Sequence, residues 1–219
     1  MKKYIPVLKR SQLFSGVGEH ETEAMLNCLG ARLRTYKKGE YVLRQGEHIG
    51  DITMLVSGSL HIQRDDYWGS RSILGHVTEG EMFGESYAMP QSGPLQNDVV
   101  AAQDSAVIFF DVMRVITTCS SACRFHSAVV RNLFAALSDK NRQLVSKLAH
   151  MSKRTTREKL VSYLSEQAAK QNKNEFEIPY NRQQLADFLS VDRSAMSSEL
   201  SKMRDEGLIE YDKNKFRLM

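Results

Sequence analysis

The chain has 219 residues, 42% hydrophobic and 26% charged, with a formal net charge of +4. It can hold one large domain or two modest ones, and no apolar run reaches the length of a membrane span. Two N-terminal lysines with no apolar stretch behind them do not make a signal peptide, and three cysteines, an odd number, fit a reducing cytoplasm better than a disulfide scaffold.

The first periodic segment, Glu19 to Leu33, reads as a helix with Met25, Leu26 and Leu29 on one side. From about Leu13 to Met113 the dominant pattern is short apolar runs split by glycines. Tyr41–Leu43, Ile52–Val56, Leu60–Gln63, Ser72–Val77, Val99–Ala102 and Ala106–Phe110 alternate with Gly39, Gly46, Gly50, Gly58, Gly69, Gly75, Gly80 and Gly84. Strands at this spacing predict an antiparallel β-barrel or jelly roll.

Between Cys119 and Met151 there is no proline or glycine, so nothing interrupts a long helix. Val130, Phe134, Leu137, Asn141, Leu144, Leu148 and Met151 alternate steps of four and three, the seam of a coiled coil. A helix with so narrow an apolar seam is most economically buried against its own copy in a parallel dimer. Asn141 then sits at a seam position that fixes register at a cost in stability. Packing across its own β-domain is the competing use of the helix. A polar, basic junction follows at Lys153–Lys159, and a hinge is expected near Ser152–Thr155. Leu160, Tyr163, Leu164 and Ala168 then begin another helix.

The run from Asn181 to Met203 reads as two short helices and a tight turn. Leu185, Ala186, Phe188 and Leu189 form the first apolar stripe, Ser190 and Val191 the turn, and Asp192 a cap for the second helix. Met196, Leu200 and Met203 anchor that second helix at i, i+4 and i+7. Its other face carries Arg193, Ser194, Ser197, Ser198, Ser201 and Lys202, small hydroxyls and cations suited to base edges and phosphates. Ile209–Tyr211 and Phe216–Leu218, joined by a polar turn at Asp212–Lys215, make a two-stranded wing. The fold class is α+β: an antiparallel β-roll sensor over 1–118, a long dimerisation helix over 119–152, and a winged helix-turn-helix over 153–219.

Taken in order, Lys38-Gly39-Glu40, Arg44-Gln45-Gly46-Glu47, Leu55–Leu60, Gly80–Glu85 and the helix-turn-helix resemble the cyclic-AMP receptor protein/FNR family of bacterial transcription regulators. The resemblance implies a cytoplasmic homodimer on a two-fold symmetric operator in double-stranded DNA, with RNA polymerase as a further partner. A ligand in the β-domain would shift the long helices and set the spacing of the recognition helices. It also implies an effector pocket formed by Phe83, Gly84, Glu85 and Ser86, by Gln96 and Asn97, and by Leu144 and Val145 of the long helix. Family members that bind cyclic AMP carry an Arg-Ser pair where this chain has Gln96-Asn97, followed by Asp98. A phosphate buried there would lack its cation, and Leu144-Val145 replace the polar pair offered to adenine. The expected effector is therefore a small organic molecule other than cyclic AMP, or none.

Other family chemistries fit less well. Cys28, Cys119 and Cys123 are too few for a four-cysteine iron–sulfur cluster. His61 and His76 are expected to stand alone, which leaves no metal centre, and no nucleophile–base pair suggests an enzyme. Cys119 and Cys123, four residues apart, offer a thiol-redox switch as an alternative. A module acting through a protein partner is the other. For DNA, the resemblance makes Arg193 the guanine reader, with Ser194, Ser197 and Ser198 beside it on the base-reading face. Ser194 and Ser198 stand where relatives carry an acid and an arginine, which predicts a different operator. Asn181, Arg182, Lys202, Lys213 and Lys215 are the candidate phosphate contacts.

Overall fold

The first units of the chain are helical because their apolar residues recur at helical spacing and glycine ends the run. Helix α1 (Ile5–Arg10) carries a proline in its first turn, where the missing N–H costs nothing. Helix α2 (Glu19–Cys28) buries Met25 and Leu26 and stops well before Leu33. Gly30 takes a left-handed φ of +62°, and the Ala31 amide donates back to Leu26 O at 2.8 Å. This glycine-terminated Schellman arrangement closes the helix. Residues beyond it form strand β1 (Arg32–Tyr36), so the helix expected over 19–33 is corrected to a helix and a strand. The computed structural model describes residues 1–65, 68, 71–117 and 124–219, with the backbone alone for Arg71 and Arg124.

The strands that follow are β2 (Tyr41–Leu43), β3 (Asp51–Ser57), β4 (Leu60–Asp65), β5 (Arg71–Val77), β6 (Met82–Phe83), β7 (Asp98–Ala101) and β8 (Ser105–Asp111). They form two four-stranded antiparallel sheets, ordered β1-β8-β3-β6 and β2-β7-β4-β5. The architecture is the expected antiparallel roll, as two separate sheets rather than one closed barrel. Leu43, Leu55, Leu60, Phe83, Leu95, Val99, Val107 and Phe109 meet in one core. Alternate residues of β3 and β8, Ile52, Met54, Ile108 and Phe110, face a second core with α1, α2 and the short helix α3 (Val112–Ile116). Strand β3 is buried on both faces, and its apolar run is correspondingly unbroken.

Helix α4 runs from Arg124 to Met151. The redox alternative at Cys119 and Cys123 falls outside the described residues. The chain divides into two compact units, Met1–Leu137 and Ser138–Met219. That division falls inside α4, whereas the sequence reading places boundaries at the two ends of the helix. In the first unit, Val129, Leu133 and Ala136 bury one face of α4 in the core beside α1 and α2. The Asn132 amide also donates to Leu13 O and Ser15 O, at 3.0 and 2.8 Å. The expected seam lies on another face. Phe134 is 73% exposed, Leu144 61% and Leu148 64%; Leu137 and Asn141 are also exposed, and Val130 and Met151 are half-buried.

In the second unit, helix α5 (Thr156–Gln171) opens on a reciprocal capping box between Thr155 and Glu158. The last turn of α4 is tied to it by His150, which is 3% exposed. His150 Nδ1 lies 2.8 Å from Ser162 Oγ, and Nε2 lies 2.6 Å from Glu166 Oε2. Strand β9 (Glu175–Glu177), helix α6 (Arg182–Leu189), helix α7 (Arg193–Asp205) and strands β10 (Ile209–Asp212) and β11 (Lys215–Leu218) complete the unit. The wing has three strands, ordered β10-β11-β9, rather than the expected two.

Candidate nucleic-acid interface

The helix-turn-helix is built by local capping on a shared core. Asn181 and Gln184 form a capping box at the start of α6. At its end Ser190 turns left-handed, with φ of +50°, and the Val191 amide donates to Ala186 O at 3.0 Å. Asp192 then caps α7, accepting from the Ala195 amide at 2.8 Å. The Ser194 hydroxyl and then the first-turn amides hold the Asp192 carboxyl below its ordinary value of 3.8. Leu185, Ala186, Leu189, Met196, Leu200 and Met203 are buried with Leu160, Leu164, Ile209 and Phe216. Phe188 is half-buried against the same core. The apolar stripes expected from the sequence are thus the ones that fix the two helices.

That packing turns the remaining face of α7 to solvent. Arg193, Ser194, Ser198 and Lys202 are exposed and Ser197 is half-buried. Two hydroxyls donate within their own helix end. Ser194 Oγ bonds Asp192 Oδ1, and Ser197 Oγ donates to Arg193 O at 2.9 Å. Their lone pairs are left to accept, and Arg193 is the one charged donor among the four expected base readers.

Four of the predicted residues converge. Asn181, Arg182, Arg193 and Lys213 line one open cleft of about 710 Å³, together with Pro179, Tyr180, Gln183, Gln184 and Asn214. Lys213 reaches it because the wing turn takes a left-handed φ of +52° at that residue. Asn214 Nδ2 clamps the turn to Glu177 Oε1 at 2.7 Å and to Ile178 O at 3.2 Å. Three cations on a concave surface between a helix start and a wing turn form a site of positive potential for an anionic backbone.

Arg182 has a second occupation. Its guanidinium lies over the Tyr211 ring at 4.6 Å and the Phe216 ring at 5.1 Å, and burial pulls its pKa below the ordinary value. It therefore joins α6 to the wing as well as facing the cleft. Lys202 and Lys215 lie apart from the cleft: Lys202 is on the exposed face of α7, and Lys215 lines a separate depression with Glu175, Glu210, Asp212 and Arg217. Tyr180, Gln183, Gln184 and Asn214 were missed by the sequence reading, because polar residues at a cap and a turn carry no periodic signal.

The expected effector residues are placed as follows in the first unit. Phe83 is a core side chain, 2% exposed. Gly84 is left-handed at φ +72°, and a Cβ there would stand 3.2 Å from both Ile49 and Leu43 side chains. Glu85 and Asn97 are half-buried, and Ser86 and Gln96 exposed. Asp98 Oδ1 accepts from the Gln45 amide at 2.8 Å. Leu144 and Val145 belong to the second unit and are 61% and 58% exposed. His61 and His76, expected from sequence to stand alone, are instead neighbours. They are directly opposed across β4 and β5, with rings edge to face at 4.7 Å. The pairing follows from strand register, which separation in sequence does not reveal. Burial and then His76 lower the pKa of His61.

Residues 33–121 match the family model described as a cyclic nucleotide-binding domain, and residues 158–219 match the Crp-like helix-turn-helix domain. Transcriptional activator protein FnrA of Stutzerimonas stutzeri is 22% identical over 199 residues, covering 89% of this chain and 79% of that protein. The catabolite activator protein of Thermus thermophilus has a similar structure, with a TM-score of 0.51 at 22% identity over 95% of this chain and 94% of its own. CprK complexed with OCPA gives a TM-score of 0.66 at 18% identity over 90% and 91%.

Proposed function

Since the chain belongs to the cyclic-AMP receptor protein/FNR family of transcription regulators, we propose that it acts as a homodimer on a two-fold symmetric operator, under a small effector other than cyclic AMP. The observation that carries the proposal is the convergence of Asn181, Arg182, Arg193 and Lys213 on one cleft beside the exposed face of α7. In this reading Arg193 enters the major groove at the start of the recognition helix and pairs bidentately with guanine O6 and N7. Ser194, Ser197 and Ser198 line the base-facing side. The phosphodiester chain runs through the cleft against Asn181, Arg182 and Lys213, with Lys202 and Lys215 reaching phosphates farther along.

The dimer forms along Val130, Phe134, Leu137, Asn141, Leu144, Leu148 and Met151. Support comes from the exposure of Phe134, Leu144 and Leu148 on a face of α4 distinct from the one packed in the core. Solvating large apolar side chains in a row is unfavourable, and a second copy of the same row covers them. The protein works in the cytoplasm by binding rather than by catalysis, with RNA polymerase as its downstream partner.

Against cyclic AMP stand Gln96 and Asn97, where the family resemblance would place the Arg-Ser pair that holds its phosphate. The Asp98 carboxylate beside them repels a phosphate. Around Glu85, Ser86, Gln96 and Asn97 of the first unit, an effector would therefore be a different small organic molecule. Selection of duplexes from a random pool by the full-length protein tests the function. The expected product is an inverted repeat whose half-sites lie about 10–10.5 base pairs apart, or a multiple of that. A pool that enriches no inverted repeat would overturn the proposal.

A further inference from the structure

We infer that Arg157, outside every DNA-facing surface described above, is a positioning residue that sets the angle of the recognition helix α7 and thereby its base discrimination. The inference rests on the DNA-reading function proposed above. Arg157 stands in the first turn of α5. Its Nη1 and Nη2 donate to the two carboxylate oxygens of Glu206, each at 2.7 Å, and its Nε donates to Glu199. Glu199 lies within α7 and Glu206 caps its end. Seven residues apart, they share one side of the helix. At about 100° per residue that side lies well round the helix from Ser194 and Ser197, about 80–100° from Ser198, and next to Lys202.

One guanidinium thus holds one flank of α7 at two points two turns apart. Isolated surface ion pairs contribute little, because two mobile side chains are screened by water. A planar fork bound to both oxygens of a carboxylate, with a third bond to another, is a geometric restraint of a different kind. Glu206 and then Glu199 hold the Arg157 pKa above its ordinary value, and Arg157 lowers that of Glu206.

The same turn of α5 grips the other helix of the motif. Lys159 Nζ donates to Leu189 O at 3.2 Å and Ser190 O at 3.3 Å, the carbonyl end of α6, where a cation also suits the helix dipole. Helix α5 therefore fixes α6 by its end and α7 by one flank. Bidentate reading of a base edge requires the reader to arrive at a fixed angle, so a helix free to rock loses discrimination before it loses general affinity for phosphate.

The test compares full-length wild type, Arg157→Gln, Arg157→Lys and Glu206→Gln. The probes are the duplex enriched by wild type and a scrambled duplex of equal length, and the readout is the dissociation constant for the scrambled duplex divided by that for the enriched one. A role confined to stability lowers the active fraction equally for both duplexes and leaves the ratio unchanged. Positioning predicts that Arg157→Gln lowers the ratio about tenfold, a typical size for a coupled network. Arg157→Lys restores part of it, and Glu206→Gln, at a side chain 48% exposed, lowers it in the same direction. A wild-type ratio in Arg157→Gln overturns the inference while the DNA-reading proposal stands. If Arg157→Gln does not fold, a wild-type ratio in Glu206→Gln overturns it equally. If wild type itself enriches no duplex, both fall.

Discussion

Leu148→Glu should separate the dimer while leaving each protomer folded. Fully burying a leucine contributes about 1.5–3 kcal/mol, and Leu148 is 64% exposed in the single chain. Covering that surface is worth roughly 1–2 kcal/mol per copy, or about 2–4 kcal/mol for the two copies of a symmetric dimer. The substitution removes this term and places two carboxylates against each other in the seam. The dimer dissociation constant should therefore rise by at least about thirtyfold. Leu148 makes no contribution to the protomer's own core, so the melting temperature measured on monomer should change little. Sedimentation equilibrium over a range of micromolar concentrations reads the constant directly. Leu208→Glu, at a residue 47% exposed beyond α7, is the control for adding charge to an apolar surface site. If Leu148→Glu sediments with the wild-type constant, the stripe along α4 is not the dimer seam.

Two further outcomes follow from the DNA-reading unit. Arg182→Ala removes two ring contacts from a half-buried guanidinium, each worth about 0.5–1 kcal/mol, so chemical denaturation should show a loss of about 1–2 kcal/mol. Unchanged stability would make Arg182 a surface cation only. Asp192 has a folded pKa below its ordinary value, held first by the Ser194 hydroxyl and then by first-turn amides. Its stabilising effect is therefore present above pH 3.8, the ordinary value, and is lost as pH falls through the lower folded value. Wild type should lose melting temperature in that window relative to Asp192→Asn, whose amide keeps the cap without titrating; parallel curves would show that the cap is not charge-dependent.

Much of this unit is legible in the chain because its signals are local. Asp192, Met196, Leu200 and Met203 carry a cap and a helical period within twelve residues, and the structure uses them as read. The long helix was legible for the same reason, from the seam through Phe134, Leu144 and Leu148, whereas the face at Val129, Leu133 and Ala136 that packs in the core was not read. What escaped was decided by partners distant in sequence. Strand β9 is three residues, Glu-Phe-Glu, and is a strand only because Lys215–Arg217 pairs with it. The end of α2 is hidden in the sequence because apolar residues continue past Gly30, and only its left-handed turn marks the stop. Arg157 reads as part of a basic junction until Glu199 and Glu206, more than forty residues on, are brought to it by the fold.

The central claim is that Arg193 reads a base while the cleft beside it only holds the backbone. The measurement that tests it most directly is the affinity of wild type, Arg193→Ala and Lys213→Ala for the enriched operator and for every single base-pair variant of one half-site, at two salt concentrations. Arg193→Ala should lose about 1–3 kcal/mol of preference at one guanine position and retain the rest. Lys213→Ala should weaken all duplexes alike and reduce the salt dependence by about one unit of slope per contact. A uniform loss across all variants in Arg193→Ala, with discrimination at every position intact, would contradict the account.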